Sequence, residues 1–129
     1  MSGKYLLDTN IVIALFAEDP FVKKHIAKAR EIFIPAIVIG ELFFGACKSG
    51  RPRANTARIE NFAACNTVLA CDIGTSRQYG YIKNLLHKKG HPIPENDIWI
   101  AALALEHELI LVSRDEHFEE INVLNKVSW

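Results

Sequence analysis

Four acidic residues stand in segments that are otherwise rich in apolar groups: Asp8 in YLLDTN, Glu41 in IPAIVIGELFFGAC, Asp97 in PENDIW and Asp115 in LVSRDEH. Carboxylates gathered in one place bind hard divalent cations, and a cation held that way activates water against phosphodiesters. Glu41 is the most telling of the four. At helical spacing its neighbours are Ile37, Val38, Phe44 and Gly45, so its carboxylate shares a face with apolar groups. Removing an unpaired carboxylate from water costs on the order of several kcal/mol, which a proton, a basic partner or a metal ion must compensate.

Each acid also has an ordinary structural role. Asp8 can cap the helix that follows it, Asp97 can favour a helix N-terminus, and Asp115 can start a short helix. Glu41 can lie at a solvated helix end or pair with Lys48. Their joint placement is what singles them out. If the four converge, each close pair costs about 1 to 4 kcal/mol of repulsion. A hard divalent ion such as Mg²⁺ or Mn²⁺ removes that penalty through oxygen ligands.

The elements that would position these acids follow from pattern and punctuation. Tyr5 to Leu7 is a short apolar strand, and residues 10 to 17 form a helix with Asp8 or Thr9 as its cap. A second helix runs from Pro20 to about Ala29. EIFI is a strand, and Pro35 opens the Glu41 helix, which ends near Ser49 and Gly50. RPRANTARIENFAAC gives a loop and then a helix, and TVLACD another strand. Residues 75 to 89 form an amphipathic helix closed by Gly90, with Tyr79, Ile82, Leu85 and Leu86 inward. PIPEND leads into IWIAALALEHE, a helix apolar nearly all round and therefore central. LILVS is a buried strand, RDEHFEEI a short helix and NKVSW an edge strand. Unbroken apolar strands alternating with helices predict an α/β fold with a parallel sheet covered on both faces. Sites in such sheets form at the carboxyl ends of strands, where Asp8 and Asp115 fall.

Composition bounds the answer without naming it. The 129 residues suit one domain over residues 1–129, long enough to bury roughly two-thirds of its surface. Half the residues are apolar, which excludes disorder. Lysine plus arginine equal aspartate plus glutamate at 15 each, so net charge selects neither nucleic acid nor membrane. The apolar run from Ile32 to Cys47 carries Pro35 and Glu41 and falls short of the ~18 to 20 residues that span a bilayer. MSGKYLLDTN has no signal-peptide pattern. Three cysteines without C-x-x-C spacing suit reduced, mostly buried thiols in a cytoplasmic protein.

The segments YLLDTNIVIA, PAIVIGELFFGACKS, IPENDIWIAALAL and LVSRDEHFEEI resemble, in order and spacing, the four motif regions of PIN-domain ribonucleases. The resemblance covers nearly the whole chain and is closest to the VapC toxins of VapBC toxin–antitoxin pairs. It implies a three-layer α/β/α sandwich with a mostly parallel five-stranded sheet and a Mg²⁺- or Mn²⁺-dependent endoribonuclease activity. Asp8, Glu41, Asp97 and Asp115 match the family's acidic quartet, with Asp8 and Asp97 at its usual ligand positions. Thr9, Asn10 and Ser113 match its supporting polar positions; Ser113 stands where threonine is more usual and still supplies a hydroxyl. The resemblance further implies an RNA substrate, a homodimer, and a cognate VapB-type antitoxin that inserts a segment into the acidic site.

On this reading Asp8 and Asp97 bind metal directly, and Glu41 orients or deprotonates the attacking water. Asp115, helped by Ser113, holds a second ion or a metal-bound water. In-line attack would release the 3′-oxygen and leave a 5′-phosphate and a 3′-hydroxyl. A polyanion approaching acids needs local positive charge. Between Glu41 and Glu60 the formal charges are Lys48, Arg51, Arg53 and Arg58, so a basic rim is expected there, with Lys48, Arg51 and Arg53 as RNA contacts. The histidines are not expected to form a competing zinc site, because His107 and His117 lack the H-E-x-x-H spacing. The alternatives are a PIN nuclease acting outside a toxin–antitoxin system and, from another class, a non-catalytic PIN-like binding module, against which the presence of all four acids weighs.

Overall fold

A computed structural model describes residues 3–129; Met1 and Ser2, part of the stretch read for a signal sequence, lie outside the described residues. Strand β1 (Lys4–Leu7) passes through Asp8 into α1 (Thr9–Phe16), and α2 (Pro20–Lys28) follows. Next come β2 (Glu31–Pro35), α3 (Ala36–Cys47), α4 (Pro52–Ala64) and β3 (Thr67–Leu69). The chain finishes with α5 (Ile73–Lys89), α6 (Glu95–Glu106), β4 (Ile110–Val112), a 3₁₀ turn (Glu116–Glu120) and β5 (Lys126–Val127).

The boundaries have local causes. Asp8 accepts the Thr9 N–H at 2.8 Å and starts α1. Asp19 caps α2 while Pro20 sets its first turn. Asp72 and Thr75 form a reciprocal capping box, so α5 begins at Ile73 rather than at Thr75 as the sequence suggests. At its other end Gly90 adopts φ 71°, a left-handed conformation that costs glycine little. Similarly α6 starts at Glu95, immediately after Pro94, and includes Asp97 in its first turn.

The five strands lie in the order β3-β2-β1-β4-β5, and every strand pairing is parallel. Leu6 is in register with Phe33 on one side and Leu111 on the other. Successive strands therefore step outward from β1 in one direction, and the chain then returns to the other side of β1 to lay down β4 and β5. That reversal makes the crevice between β1 and β4 the switch point, where an open parallel sheet presents ligands. The α/β class, the five strands and the β2-β1-β4 adjacency that the acids require are all present.

Leu6, Leu7, Ile34, Leu111 and Val112 are inaccessible in the sheet, and Ile100 and Leu103 are equally buried on α6. α6 is thus the central helix that its apolar composition predicts, packed on α5 and against β4. α3 turns Val38, Ile39, Leu42 and Ala46 inward. Full burial of each such side chain contributes about 1.5 to 3 kcal/mol.

The far end of the chain is tied back onto the opening elements. Trp129 is 6% exposed, edge-on to Tyr5 with ring centroids 4.9 Å apart and stacked on His25 at 5.1 Å. Its carbonyl accepts Arg114 Nε–H at 2.6 Å. Trp129→Ala should lower the unfolding free energy by about 3 kcal/mol, read as a drop in the urea midpoint at an unchanged slope. A midpoint within error of wild type would mean that this contact contributes nothing.

Candidate active site

Asp8 and Ser113 follow the adjacent strands β1 and β4 directly, so parallel pairing places them side by side. The Asp8 N–H donates to Val112 O at 3.0 Å and closes the gap between the strand ends. Ser113, fully buried, donates its hydroxyl to Asp8 Oδ2 at 2.7 Å and accepts the Asp115 N–H at 2.9 Å. The Asn10 amide donates to Asp8 Oδ2 and to Ser113 Oγ, each at 3.4 Å, and its carbonyl accepts the Arg114 N–H at 3.2 Å. One serine hydroxyl thus joins the acid after β1 to the acid after β4.

The other two acids reach the same crevice from helices. Asp97, 9% exposed, projects from the first turn of α6. Its Oδ2 is 3.0 Å from His117 Nδ1, which is also 3.0 Å from Asp115 Oδ1. One ligand atom from each of Asp97, Asp115 and His117 lies within 4.8 Å of the others. Glu41, on the flank of α3, accepts the Thr9 hydroxyl on Oε1 and the Asn96 amide on Oε2, the latter at 3.3 Å. Every acid is therefore connected to the next through a single polar residue: Glu41 through Thr9 to Asp8, Asp8 through Ser113 to Asp115, Asp115 through His117 to Asp97.

Electrostatics match this arrangement. Burial pushes the Asp8 carboxyl above its usual range; the charges of Glu41 and Asp115 add to the rise, while the Ser113 hydroxyl and Thr9 N–H oppose it. Burial likewise raises Asp97, opposed by its hydrogen bond to His117 and reinforced by Asp8 and Asp115. The bond to Asp97, with help from Asp115, raises His117. A carboxyl whose pKa is raised by folding favours the folded state less once it ionises, so this part of the stability falls as pH climbs from the unfolded value through the folded one. Near neutral pH Asp8 and Asp97 therefore destabilise the fold, and a cation held between them would reverse the effect. The donors are carboxylates with supporting hydroxyls and one imidazole, without a thiol, which fits a divalent cation of hard or borderline character.

Several expectations need correction. Glu41 is half-buried rather than enclosed, and Phe44, one turn on, is 62% exposed; α3 directs its apolar stripe to the core one position away from Glu41. Cys47, Cys65 and Cys71 are exposed, not buried, because they lie at the end of α3, just past α4 and just past β3. His117, set aside for want of a zinc motif, joins the acids, and Asn96 joins Glu41; the only hints were their places beside Asp97 and two residues after Asp115. Arg114, next in sequence to Asp115, leaves the crevice to pair with Asp19 at 3.0 Å and so does not neutralise it.

Glu41 lies where two grooves meet. One, of 260 Å³, is walled by Ile13, Phe16, Leu42 and Arg58 among others; the second, of 480 Å³, by Ile37, Gly40, Phe44 and Asn96. The expected cationic rim is thus represented at Glu41 by Arg58, whose guanidinium sits 4.3 Å over the Phe16 ring. Lys48 lies over the Phe44 ring at 4.3 Å, and Arg51 and Arg53 are exposed at the start of α4. A larger recess of 670 Å³ opens near Lys4, Arg30 and Ile110, at the amino end of the sheet, and contains none of the four acids. Its volume is greater, yet Lys4 and Lys126 within it are already paired with Glu31 and Glu119.

Comparison with known proteins agrees with this geometry. The PIN domain family matches residues 5–124. The chain is 39% identical to "Ribonuclease VapC2" of Haemophilus influenzae and 33% identical to "tRNA(fMet)-specific endonuclease VapC" of Shigella flexneri, each alignment covering 98% of both proteins. The fold superposes on a solved structure of VapBC-1 from nontypeable Haemophilus influenzae with a TM-score of 0.89 at 28% identity, covering 98% of each chain. On fold, motif order and full-length similarity, the chain belongs to the PIN-domain family, among its VapC ribonucleases.

Proposed function

We propose that this chain, acting as one domain over residues 1–129, is a Mg²⁺- or Mn²⁺-dependent endoribonuclease and the toxin of a toxin–antitoxin pair. The observation that carries this reading is the chain of contacts joining Glu41, Asp8, Asp115 and Asp97 at the β1–β4 switch point. Asp8 and Asp97 hold the ion, and Asp115, fixed by Ser113, completes the binding. When bound, the ion supplies a nucleophile at neutral pH and neutralises charge developing on the phosphate.

Glu41 takes the proton of the attacking water. Thr9 and Asn96 each occupy one of its oxygens, which fixes the plane of the carboxylate beside Asp8. Attack in line at phosphorus releases the 3′-oxygen and yields a 5′-phosphate and a 3′-hydroxyl. Because the 2′-hydroxyl is not the nucleophile, selection of RNA over DNA rests on contacts outside the acids. Arg58 in the Glu41 groove and the exposed Lys48, Arg51 and Arg53 are the cationic side chains assigned to those contacts. Transfer RNA is the substrate class to test first, since two relatives are named for it.

The VapBC complexes among structurally similar proteins support a VapB-type antitoxin as partner. Exposed Ile13 (54%) on α1 and Phe44 on α3 support burial against a second copy in a homodimer. Among the described residues no helix is long and apolar enough to cross a membrane; an RNA substrate would be met in the cytoplasm.

Three measurements test the reading. Antitoxin-free protein should cut tRNA transcripts with Mg²⁺ but not with EDTA, and Glu41→Gln should slow cutting by about 100-fold or more. Undiminished cutting by Asp8→Asn would assign the activity to a contaminant. Divalent ions should raise the melting temperature of wild type far more than that of Asp97→Asn, while in EDTA the variant should melt no lower than wild type. Equal metal-induced shifts would leave no shared cation site. Ser113→Ala should weaken metal binding by about 10- to 100-fold, and Ser113→Thr, which keeps the hydroxyl, should restore it.

A further inference from the structure

His117 lies outside the acidic quartet, yet its side chain reaches the carboxylates of two of its members. Nδ1 is 3.0 Å from Asp97 Oδ2 and 3.0 Å from Asp115 Oδ1. Adjacent ligands around an octahedral ion with bonds near 2.1 Å are separated by √2 times that length, about 3.0 Å. Nδ1 is thus spaced from each oxygen as from a neighbouring corner of one coordination shell, and one ligand atom of each residue lies within 4.8 Å of the others. The turn that carries the ring is fixed from both ends: His117 N–H donates to Asp115 Oδ1 at 2.9 Å, and the next residue, Phe118, is buried in the core. The imidazole itself is half exposed, so Nε2 can hold the ring proton in water when Nδ1 exchanges its hydrogen bond to Asp97 for a cation.

We infer that His117 is a metal ligand through Nδ1 beside Asp97 and Asp115, and that this nitrogen turns the site toward Mn²⁺-type transition ions over Mg²⁺. Mg²⁺ takes oxygen ligands almost exclusively and gives up its waters reluctantly, whereas imidazole is a good donor to first-row transition ions. A crevice of carboxylates alone would not make that distinction. The inference rests on the acidic crevice being the metal site, as proposed above.

A different role for the same contacts would be that of a counter-charge, with a protonated ring occupying the place of the ion. The two roles have opposite consequences. Removing a ligand weakens metal binding, while removing a competing cation strengthens it.

The test uses the full chain purified without antitoxin and stripped of metal, titrated calorimetrically with Mn²⁺ and, separately, with Mg²⁺. His117→Ala and His117→Gln are compared with wild type; both replace a half-exposed side chain, and circular dichroism reports their folding. His117→Ala should weaken Mn²⁺ binding by about 10-fold or more while changing Mg²⁺ binding less, so the Mn²⁺-to-Mg²⁺ preference falls. Pulsed electron paramagnetic resonance of bound Mn²⁺ should show a directly bonded nitrogen in wild type that is absent from both variants. Tighter or unchanged Mn²⁺ binding by His117→Ala, or no nitrogen coupling in wild type, overturns the inference. Asp97→Asn separates the two levels: if it binds Mn²⁺ as wild type does, the crevice is not the metal site, whereas loss of binding there with no effect at His117 rejects the ligand role alone.

Discussion

The parallel pairing of β1 with β4 is the constraint on which the site depends. Sequence places Asp8 and Ser113 more than a hundred residues apart, yet the register Leu7 to Val112 brings the next residue of each strand together at the carboxyl edge of the sheet. The Asp8 N–H to Val112 O bond extends that register past the last paired residues. Leu6 and Leu7 are both fully buried, on opposite faces of the sheet, so a one-residue slip would either draw Asp8 into the place of Leu7 in the core or push Leu7 out to the carboxyl edge. Burial of those leucines therefore holds the acids in place as firmly as any contact among the acids themselves.

Gathering carboxylates in a partly buried crevice opposes folding, and the molecule limits the penalty by giving each acid at least one donor. Asp8 takes the Ser113 hydroxyl and the Thr9 amide; Glu41 takes Thr9 and Asn96; Asp97 takes His117. Among the described residues no buried side-chain nitrogen or oxygen lacks a hydrogen-bond partner. Neutral hydroxyls and amides fix the carboxylates without cancelling their charge, whereas a lysine or arginine in the same place would neutralise them. Arg114 illustrates the point: although adjacent to Asp115, it is drawn away by Asp19 and the Trp129 carbonyl. Net negative charge is preserved in the crevice proposed to take a cation.

The same geometry relates the acids to what approaches them. Glu41 faces two grooves rather than a closed cavity, with apolar walls and Arg58 on one side and Phe44 on the other. An open site suits a long polyanion, and the same openness exposes apolar surface that a protein partner can cover. The more voluminous recess at the amino end of the sheet, walled by Arg30, Ile110 and Val127 among others, holds none of the four acids.

Local chemistry made much of this legible. Apolar runs, Pro35, Gly90 and the capping aspartates mark strands and helices because they act within a few residues, and the all-round apolar character of α6 announces a central helix. Asp8, Glu41, Asp97 and Asp115 stand out because a charge amid apolar neighbours demands compensation wherever the chain folds. Side-chain direction and long-range adjacency were not so marked. That His117 turns toward two acids, that Arg114 turns away, that Phe44 and the three cysteines face outward, and that α3 offers Glu41 from its flank all follow from how helices and strands are rotated and stacked. The sequence by itself determined the elements and the charged residues at their ends; the tertiary structure alone decided which groups meet, because periodicity and capping are short-range while strand order and helix rotation are set by packing across the whole core.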